Sequence, residues 1–157
     1  MSKNKIVSLL GFFAICFAIA ALGGFATQAS LDPWYRNLVK ASWNPPAWVF
    51  GPVWTILYVM IAVAGWLIFI AKKSDLRNRA LVFYSLQLFF NFLWSFLFFY
   101  FQNPLLGLID IVLLVVFLAL TLKATWPLSR TAAYLLLPYF LWTLYALTLN
   151  VAIFYLN

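Results

Sequence analysis

Long apolar runs alternate with short polar connectors along almost the whole chain. A helix crosses the apolar core of a membrane, about 30 Å thick, with about 20 apolar residues. Five runs reach or approach that length: residues 6–27, 47–71, 80–101, 105–122 and 131–156. Only the short turn Gln-Asn-Pro at 102–104 separates the third run from the fourth. The pattern predicts an all-α integral membrane protein, with residues 1–157 forming one five-transmembrane-helix bundle in which the third and fourth helices form an antiparallel hairpin.

Two prolines refine the predicted helices. Pro46 falls at the first turn of the second helix, where a missing N–H group costs nothing. Pro138 falls inside the fifth run, where proline removes a backbone hydrogen bond. We therefore expect Pro46 to lie in the first turn of the second helix, and the fifth helix to bend or loosen by one turn.

The composition excludes a soluble protein. Only 8% of residues are charged and 67% are hydrophobic, whereas soluble domains carry about 25% charged residues. The surface must therefore face membrane lipid. The basic residues that give the net charge of +7 lie between apolar runs and form no continuous basic surface. We therefore expect no nucleic-acid partner. The chain has no histidine and only one cysteine, Cys16, so we expect no metal site and no obligatory cofactor.

The basic residues predict the orientation in the membrane. Eight of the ten fall at one end of the predicted bundle: Lys3, Lys5, Lys72, Lys73, Arg77, Arg79, Lys123 and Arg130. The opposite end has only Arg36 and Lys40. Cytoplasmic loops carry the excess of lysine and arginine. We therefore expect a multi-pass protein of a bacterial cytoplasmic membrane, with the N-terminus in the cytoplasm and the C-terminus outside.

A cleaved signal peptide is the alternative interpretation of the first run. Lys3 and Lys5 precede it, and Ala-Thr-Gln-Ala at 26–29 resembles a cleavage site. The run is longer than the apolar core of about 7–15 residues typical of signal peptides, so a transmembrane helix is favoured.

The connector before the second run is rich in rigid aromatic side chains. Half of the eight tryptophans lie within residues 34–54. Pro45 and Pro46 disfavour helix in the residues before them, so we expect extended backbone there. Such a segment can cover one end of a helix bundle with flat apolar rings. The sequence therefore predicts an extended Trp-rich lid loop that carries Trp34, Tyr35 and Trp43.

Polar and aromatic side chains recur at helical spacing inside the runs. Gln87, Asn91 and Trp94 share one face of the third helix, Trp54 and Tyr58 are one turn apart on the second, and Trp142 and Ala146 are one turn apart on the fifth. Such residues often only join membrane helices, at about 1 kcal/mol each. Together beneath a lid they predict a pocket that opens outward and suits a large, flat, mostly apolar ligand.

Asp110 is the single acid within the predicted spans. A buried carboxyl group that hydrogen-bonds a neighbouring helix is one interpretation, and a proton or cation relay is the other. Because a relay normally uses a series of ionisable groups, the hydrogen-bonded carboxyl group is favoured.

Four segments resemble one known family over nearly the whole chain. The run "WYRNLVKASWNPPAWVFGPVWTILY" is similar to the signature of the TspO/MBR family, the translocator proteins or tryptophan-rich sensory proteins. "QLFFNFLW", "GLIDIVLL" and "LLLPYFLWTLYALTLN" follow in the family's order and spacing. The resemblance implies a five-helix bundle, usually a homodimer, that binds tetrapyrroles such as protoporphyrin IX and heme.

The resemblance also implies roles for individual residues. Trp54 and Trp142 match the pocket tryptophans tied to light-dependent porphyrin degradation in bacterial members, and Ala146 matches a small residue beside the pocket. Other positions match the pocket or its lid: Trp34, Tyr35, Trp43, Pro45, Pro46, Gln87, Asn91 and Trp94. The last segment, "LNVAIFYLN", lacks the basic residue of the family's cholesterol motif, which makes cholesterol recognition doubtful.

Three functions follow as hypotheses. The favoured one is a membrane receptor for tetrapyrroles with a sensory or trafficking role, in which Arg36 and Lys40 contact the propionates unless they are ordinary solvated loop charges. The first alternative is a light-dependent porphyrin-degrading enzyme, although no acid–base pair or nucleophile is apparent. The second is a porphyrin or small-molecule transporter, although one acid in five helices offers no continuous polar path.

Overall fold

The computed structural model describes residues 3–157 and confirms the predicted fold class. Within these residues there are five long helices and no strand: α1 (Lys3–Gln28), α2 (Ala47–Ile70), α3 (Asp75–Ser95), α4 (Pro104–Thr125) and α5 (Arg130–Leu156). A wider π-helical turn, Phe96–Tyr100, extends α3. Each helix, with this turn included in α3, is long and apolar enough to cross a membrane.

Among the helix ends, the start of α3 differs most from its prediction. Helix α3 starts at Asp75, five residues before the predicted start, because the Ser74 side chain accepts a hydrogen bond from the backbone N–H of Arg77 at 3.2 Å. Asn103 caps α4 in the same way through the N–H of Leu106, at 3.0 Å. A search for apolar runs misses such first turns because capping residues are polar. Pro46 precedes α2 as its N-cap instead of lying in its first turn. Helix α5 continues through Pro138 without interruption.

The connector between α1 and α2, residues 29–46, is the lid, and it is not extended throughout. Helical turns within Leu31–Tyr35 are interrupted at Asp32, whose backbone is extended (φ −131°, ψ 129°). Extended backbone is also found at Pro46 (φ −55°, ψ 143°). The lid therefore combines extended backbone at these two positions with short helical turns in its first half. Proline restricts only the residue just before it, so helical turns can form earlier in the lid. There, Leu31, Trp34 and Tyr35 pack on the same apolar cluster.

The half of the bundle away from the lid is closely packed. Ile61, Ile68, Leu118 and Leu136 are completely buried there. The hydroxyl group of Tyr84 donates a hydrogen bond to the carbonyl oxygen of Ile61 at 2.9 Å. This half forms a solid core that holds the helices together beneath the lid end.

Candidate ligand-binding cavity

A cavity of about 470 Å³ lies in the lid half of the bundle. All five helices and the lid contribute to its wall. The contributing residues include Gly23, Gly24 and Thr27 of α1; Gly51, Trp54 and Tyr58 of α2; Asn91 and Trp94 of α3; Ile111 and Leu114 of α4; Thr143, Ala146 and Asn150 of α5; and Leu31 and Tyr35 of the lid. Its volume is within the range of about 300–1,000 Å³ typical of small-molecule sites.

Aromatic rings form much of the wall. On α2, the rings of Trp54 and Tyr58 are 5.7 Å apart between centroids and inclined by 34°. On α3 and the π-helical turn that extends it, the rings of Trp94 and Phe98 stack at 5.1 Å with an angle of 14°. These rings present broad apolar surface to a ligand while keeping few polar atoms nearby.

The polar groups of the wall are joined to each other across helices. The Tyr58 hydroxyl donates to Oδ1 of Asn91, and Nδ2 of Asn91 donates to the Tyr139 hydroxyl at 2.8 Å. Nearer the lid, Nε1 of Trp94 donates to Oδ1 of Asn150 at 3.0 Å. Because buried amides that are hydrogen-bonded keep fixed orientations, these networks hold the rings in place before any ligand arrives.

The lid closes the end of the cavity. Trp34 packs edge-on against Phe98 at 5.6 Å between centroids, and Tyr35 lies 5.3 Å from Phe99. Burial raises the pKa of Tyr35, partly offset by a hydrogen bond with Asn44, so its hydroxyl group is neutral at pH 7. The predicted opening toward the outside is therefore covered by lid side chains.

Two contacts fasten the lid to α5 and to Asn157, the residue that follows it. The Tyr145 hydroxyl donates to the carbonyl oxygen of Trp43 at 2.7 Å. The Asn157 side chain accepts from the N–H of Val39 at 2.9 Å and donates to its carbonyl oxygen at 3.0 Å. The lid is thus held by side chains that the sequence motifs did not single out.

The two basic residues of the lid make contacts within the lid. Arg36 forms an ion pair with Asp32 at 2.9 Å, on the surface. Nζ of Lys40 donates to the carbonyl oxygens of Arg36 and Leu38 at 3.1 and 3.0 Å and lies 4.7 Å from the ring centroid of Tyr35. Burial lowers the pKa of Lys40. Both residues lie outside the cavity wall.

The structure brings half of the predicted site residues to the cavity wall. These six are Tyr35, Trp54, Tyr58, Asn91, Trp94 and Ala146. Four others belong to the lid or its junction with α2 but do not line the cavity: Trp34, Trp43, Pro45 and Pro46. Their place is in the cover of the site, not its wall.

Gln87 and Trp142 do not line the cavity, contrary to the predicted pocket. Gln87 lies one turn further from the lid than Asn91 and is completely buried in the solid half, where its amide has no hydrogen-bond partner among residues 3–157. Trp142 packs instead against Phe50 at 5.9 Å, and its Nε1 has no partner within the same residues. Helical spacing correctly placed each residue on the same helix face as its neighbours in the proposed pocket. It did not predict how deep in the bundle Gln87 lies, or how α5 is rotated about its axis at Trp142.

Sequence reasoning missed the contribution of small residues. Gly23, Gly24 and Gly51 line the cavity, yet they lie in uniformly apolar runs without a polar or aromatic motif. The only available signal was the presence of glycine inside predicted helices, where it costs about 1 kcal/mol relative to alanine.

Asp110 is buried, but the expected hydrogen bond to a neighbouring helix is not formed. Neither carboxylate oxygen has a partner among the described residues, although the side chain is only 2% exposed. The residue lies beside the cavity wall, one position before Ile111, but does not line it.

Together, the five apolar helices and the lidded aromatic cavity define a multi-pass membrane protein with an internal small-molecule site. Comparison with known proteins identifies the family. The model of the TspO/MBR family matches residues 12–156, and the chain belongs to this family. It is an integral membrane protein.

Named relatives match over most of their length. The tryptophan-rich protein TspO of Chlorobaculum tepidum is 41% identical, with 99% of both chains covered. The tryptophan-rich sensory protein of Cereibacter sphaeroides is 36% identical over 94% of this chain and 90% of its own. The human translocator protein is 36% identical over 74% of this chain and 70% of its own.

Proposed function

We propose that this protein is a membrane receptor that binds a tetrapyrrole, such as protoporphyrin IX or heme, and has a sensory or trafficking role. The observation that carries the proposal is the lidded cavity of about 470 Å³ with an aromatic wall. The names of the relatives, a sensory protein and a translocator protein, agree with a membrane protein that recognises a small molecule.

Stacking is the main interaction that this cavity offers. Trp54, Tyr58, Trp94 and Phe98 present ring faces or edges, and an aromatic pair contributes about 0.5–1.5 kcal/mol beyond its buried area. The chain has no histidine to bind iron. We therefore expect the iron-free ring to bind about as well as heme, with a difference of less than about tenfold, or 1.4 kcal/mol.

Arg36 and Lys40 remain candidates for the propionate groups of the ligand. Arg36 would have to exchange Asp32 for a propionate, and exposed ion pairs are worth only about 0–1 kcal/mol. Such an exchange therefore costs little free energy and adds little affinity. We expect Arg36→Gln to weaken protoporphyrin binding by less than about fivefold.

The membrane arrangement belongs to the same proposal. The distribution of basic residues supports a cytoplasmic N-terminus, an external lid and a bacterial cytoplasmic membrane. Membership of the family supports a homodimer. Reporter fusions at the two termini test the topology, and an external loop at residues 72–79 would contradict it.

Titration of the protein with protoporphyrin IX in lipid nanodiscs tests the function. Saturable quenching of tryptophan fluorescence is expected. Trp54→Leu should weaken binding by about tenfold because its ring forms part of the wall. Trp126→Leu is the matched control, since Trp126 is exposed and packs on Tyr134 at the other end of the bundle. Failure to saturate, or equal losses in both variants, would refute the proposed site.

The same preparation separates binding from the two alternatives. Light-dependent degradation predicts loss of the porphyrin absorption band faster than in empty nanodiscs. Transport predicts porphyrin flux into proteoliposomes. The completely buried side chains of Ile61, Leu118 and Leu136 below the cavity favour binding over transport, because they leave no continuation of the cavity toward the opposite end.

A further inference from the structure

The exposed part of the cavity wall belongs to only two helices. Among the lining residues of the described chain, the exposed ones are Gly24 and Gln28 of α1 and Ala47, Trp48, Gly51 and Thr55 of α2. Those contributed by α3, α4, α5 and the lid are buried or half-buried. The cavity therefore opens sideways, between the last two turns of α1 and the first turns of α2.

This opening faces the region of the membrane, not the water beyond it. On α2 it extends from Ala47 to Thr55, which is about 12 Å along a helix of 24 residues, or about 36 Å. Trp48 is 75% exposed near the start of α2, as expected for a tryptophan at a membrane interface. Gly51 and Thr55 lie one and two turns deeper, where acyl chains would contact them.

Both edges of the opening carry a glycine, which has no side chain to obstruct it. A Cβ atom placed on Gly24 or on Gly51 would meet no other atom within 4 Å in the described chain. Small residues in membrane helices usually allow close helix contact, and Gly23 shows this use, since a Cβ there would lie 3.1 Å from Oγ of Ser95. No such contact accounts for Gly24 and Gly51, whose lack of a side chain instead leaves the gap between α1 and α2 open.

From these observations we infer a lateral portal through which the cavity exchanges its ligand with the bilayer, between the Gly24 turn of α1 and the Gly51 turn of α2. The identity of the ligand rests on the proposed function. The portal itself fits any flat apolar molecule that partitions into lipid and slides in edge-on. The fastened lid remains closed during this exchange.

A cysteine inside the cavity measures access without any porphyrin. Cys16→Ala removes the native thiol, and Ala146→Cys places a reporter on the wall. In nanodiscs, benzyl methanethiosulfonate, which partitions into lipid, should modify the reporter at least about tenfold faster than charged sulfonatoethyl methanethiosulfonate, after correction for their rates with a free thiol in water. Equal corrected rates, or faster modification by the charged reagent, would overturn the portal.

Bulky side chains at the edges should close the route. Gly24→Leu and Gly51→Leu, singly and together, should slow benzyl modification, by about tenfold in the double variant. Gly11→Leu is the matched control, because Gly11 is also exposed on α1 with nothing in the described structure within 4 Å of a Cβ. Unchanged rates in folded edge variants would contradict a route between the two helices.

The lid provides the opposite control. Asn157→Ala removes the side chain that holds Val39 and should leave the rate of benzyl modification unchanged. Acceleration by this variant would show that access is through the lid, which would overturn the lateral portal.

Protoporphyrin kinetics then connect the portal to the proposed function. In the Gly24→Leu Gly51→Leu variant, association and dissociation of protoporphyrin should both slow, because leucine side chains at the edges of the opening raise the barrier to passage in both directions. A wild-type protein that does not bind protoporphyrin would refute the proposed function, whereas the reporter thiol would still decide whether the portal exists.

Discussion

The two halves of the helix bundle are made from the same apolar residue types but are packed differently. In the half away from the lid, Ile61, Leu118 and Leu136 are completely buried and the interior is filled. In the lid half, the same helices surround a cavity of about 470 Å³. Glycine shows the contrast directly: Gly65 makes room for a neighbouring ring, whereas Gly51 leaves space open to the outside. The apolar composition therefore determines that the helices lie in a membrane. The volumes of their side chains determine whether the interior of each half is filled or contains a cavity.

The largest loss of stability is expected for Gly65→Ala. The added Cβ would overlap the ring of Tyr84, which would have to move and give up its hydrogen bond to Ile61. Overpacking costs about 1–3 kcal/mol, and the lost hydrogen bond about 1 kcal/mol more. We expect the free energy of unfolding in detergent to fall by about 3 kcal/mol, whereas Gly11→Ala should cost nothing. Equal stability of the two variants would show that the far half is not tightly packed there.

Opposite effects are expected for two amides on α3 that are one turn apart. Asn91→Leu leaves the hydroxyl groups of Tyr58 and Tyr139 without their partner, at about 2 kcal/mol. Gln87→Met replaces an amide that has no partner in the described chain, and should stabilise by about 1 kcal/mol. Unfolding in detergent measures both. Destabilisation by Gln87→Met would mean that its amide is hydrogen-bonded after all.

An intermediate effect is expected at the boundary between the halves. A Cβ on Gly107 would lie 2.8 Å from Cδ2 of Phe98 and 3.2 Å from Oδ1 of Asn150. Phe98 can shift toward the cavity, so Gly107→Ala should cost only about 1 kcal/mol. Because Phe98 stacks on Trp94, the variant should also weaken protoporphyrin binding. A loss of stability without a change in Kd would show that the shift is directed away from the cavity.

A small gain is expected at the edge of the portal. Gly51→Ala adds a methyl group where no atom of the described residues is near, and alanine is favoured over glycine within a helix by about 0.5–1 kcal/mol. The melting temperature should rise slightly. A decrease would show that α1 approaches α2 more closely at this turn than the structure indicates.

The smallest effect on global stability is expected for Asn157→Ala. The exposed lid contact should contribute less than about 0.5 kcal/mol to unfolding, but the backbone N–H of Val39 loses its acceptor. Hydrogen exchange at Val39 should therefore accelerate, while exchange in the middle of α2 stays unchanged. Acceleration in both places would mean that the lid and the bundle open together.

The sequence predicted the helices better than the site. The long apolar runs could be found because each must cross the membrane. The turns that were missed lie at polar helix ends, such as the first turn of α3 after Ser74 and the last turn of α4. Half of the candidate site residues line the cavity, among them Trp54 and Asn91, which lie with their neighbours at helical spacing on inward faces. Gln87 and Trp142 have the same spacing, but the depth of the cavity and the rotation of α5 depend on contacts between helices.

By itself, the sequence determined that the protein lies in a membrane, how many helices it has and to which family it belongs. These properties depend on the length of the apolar runs and on local motifs. Only the tertiary structure decided that the lid is partly helical, that small residues of α1 join the wall, and that the cavity opens sideways. These features depend on how the side chains of five helices fill the space at each level of the bundle. A uniformly apolar sequence gives almost no information about that packing.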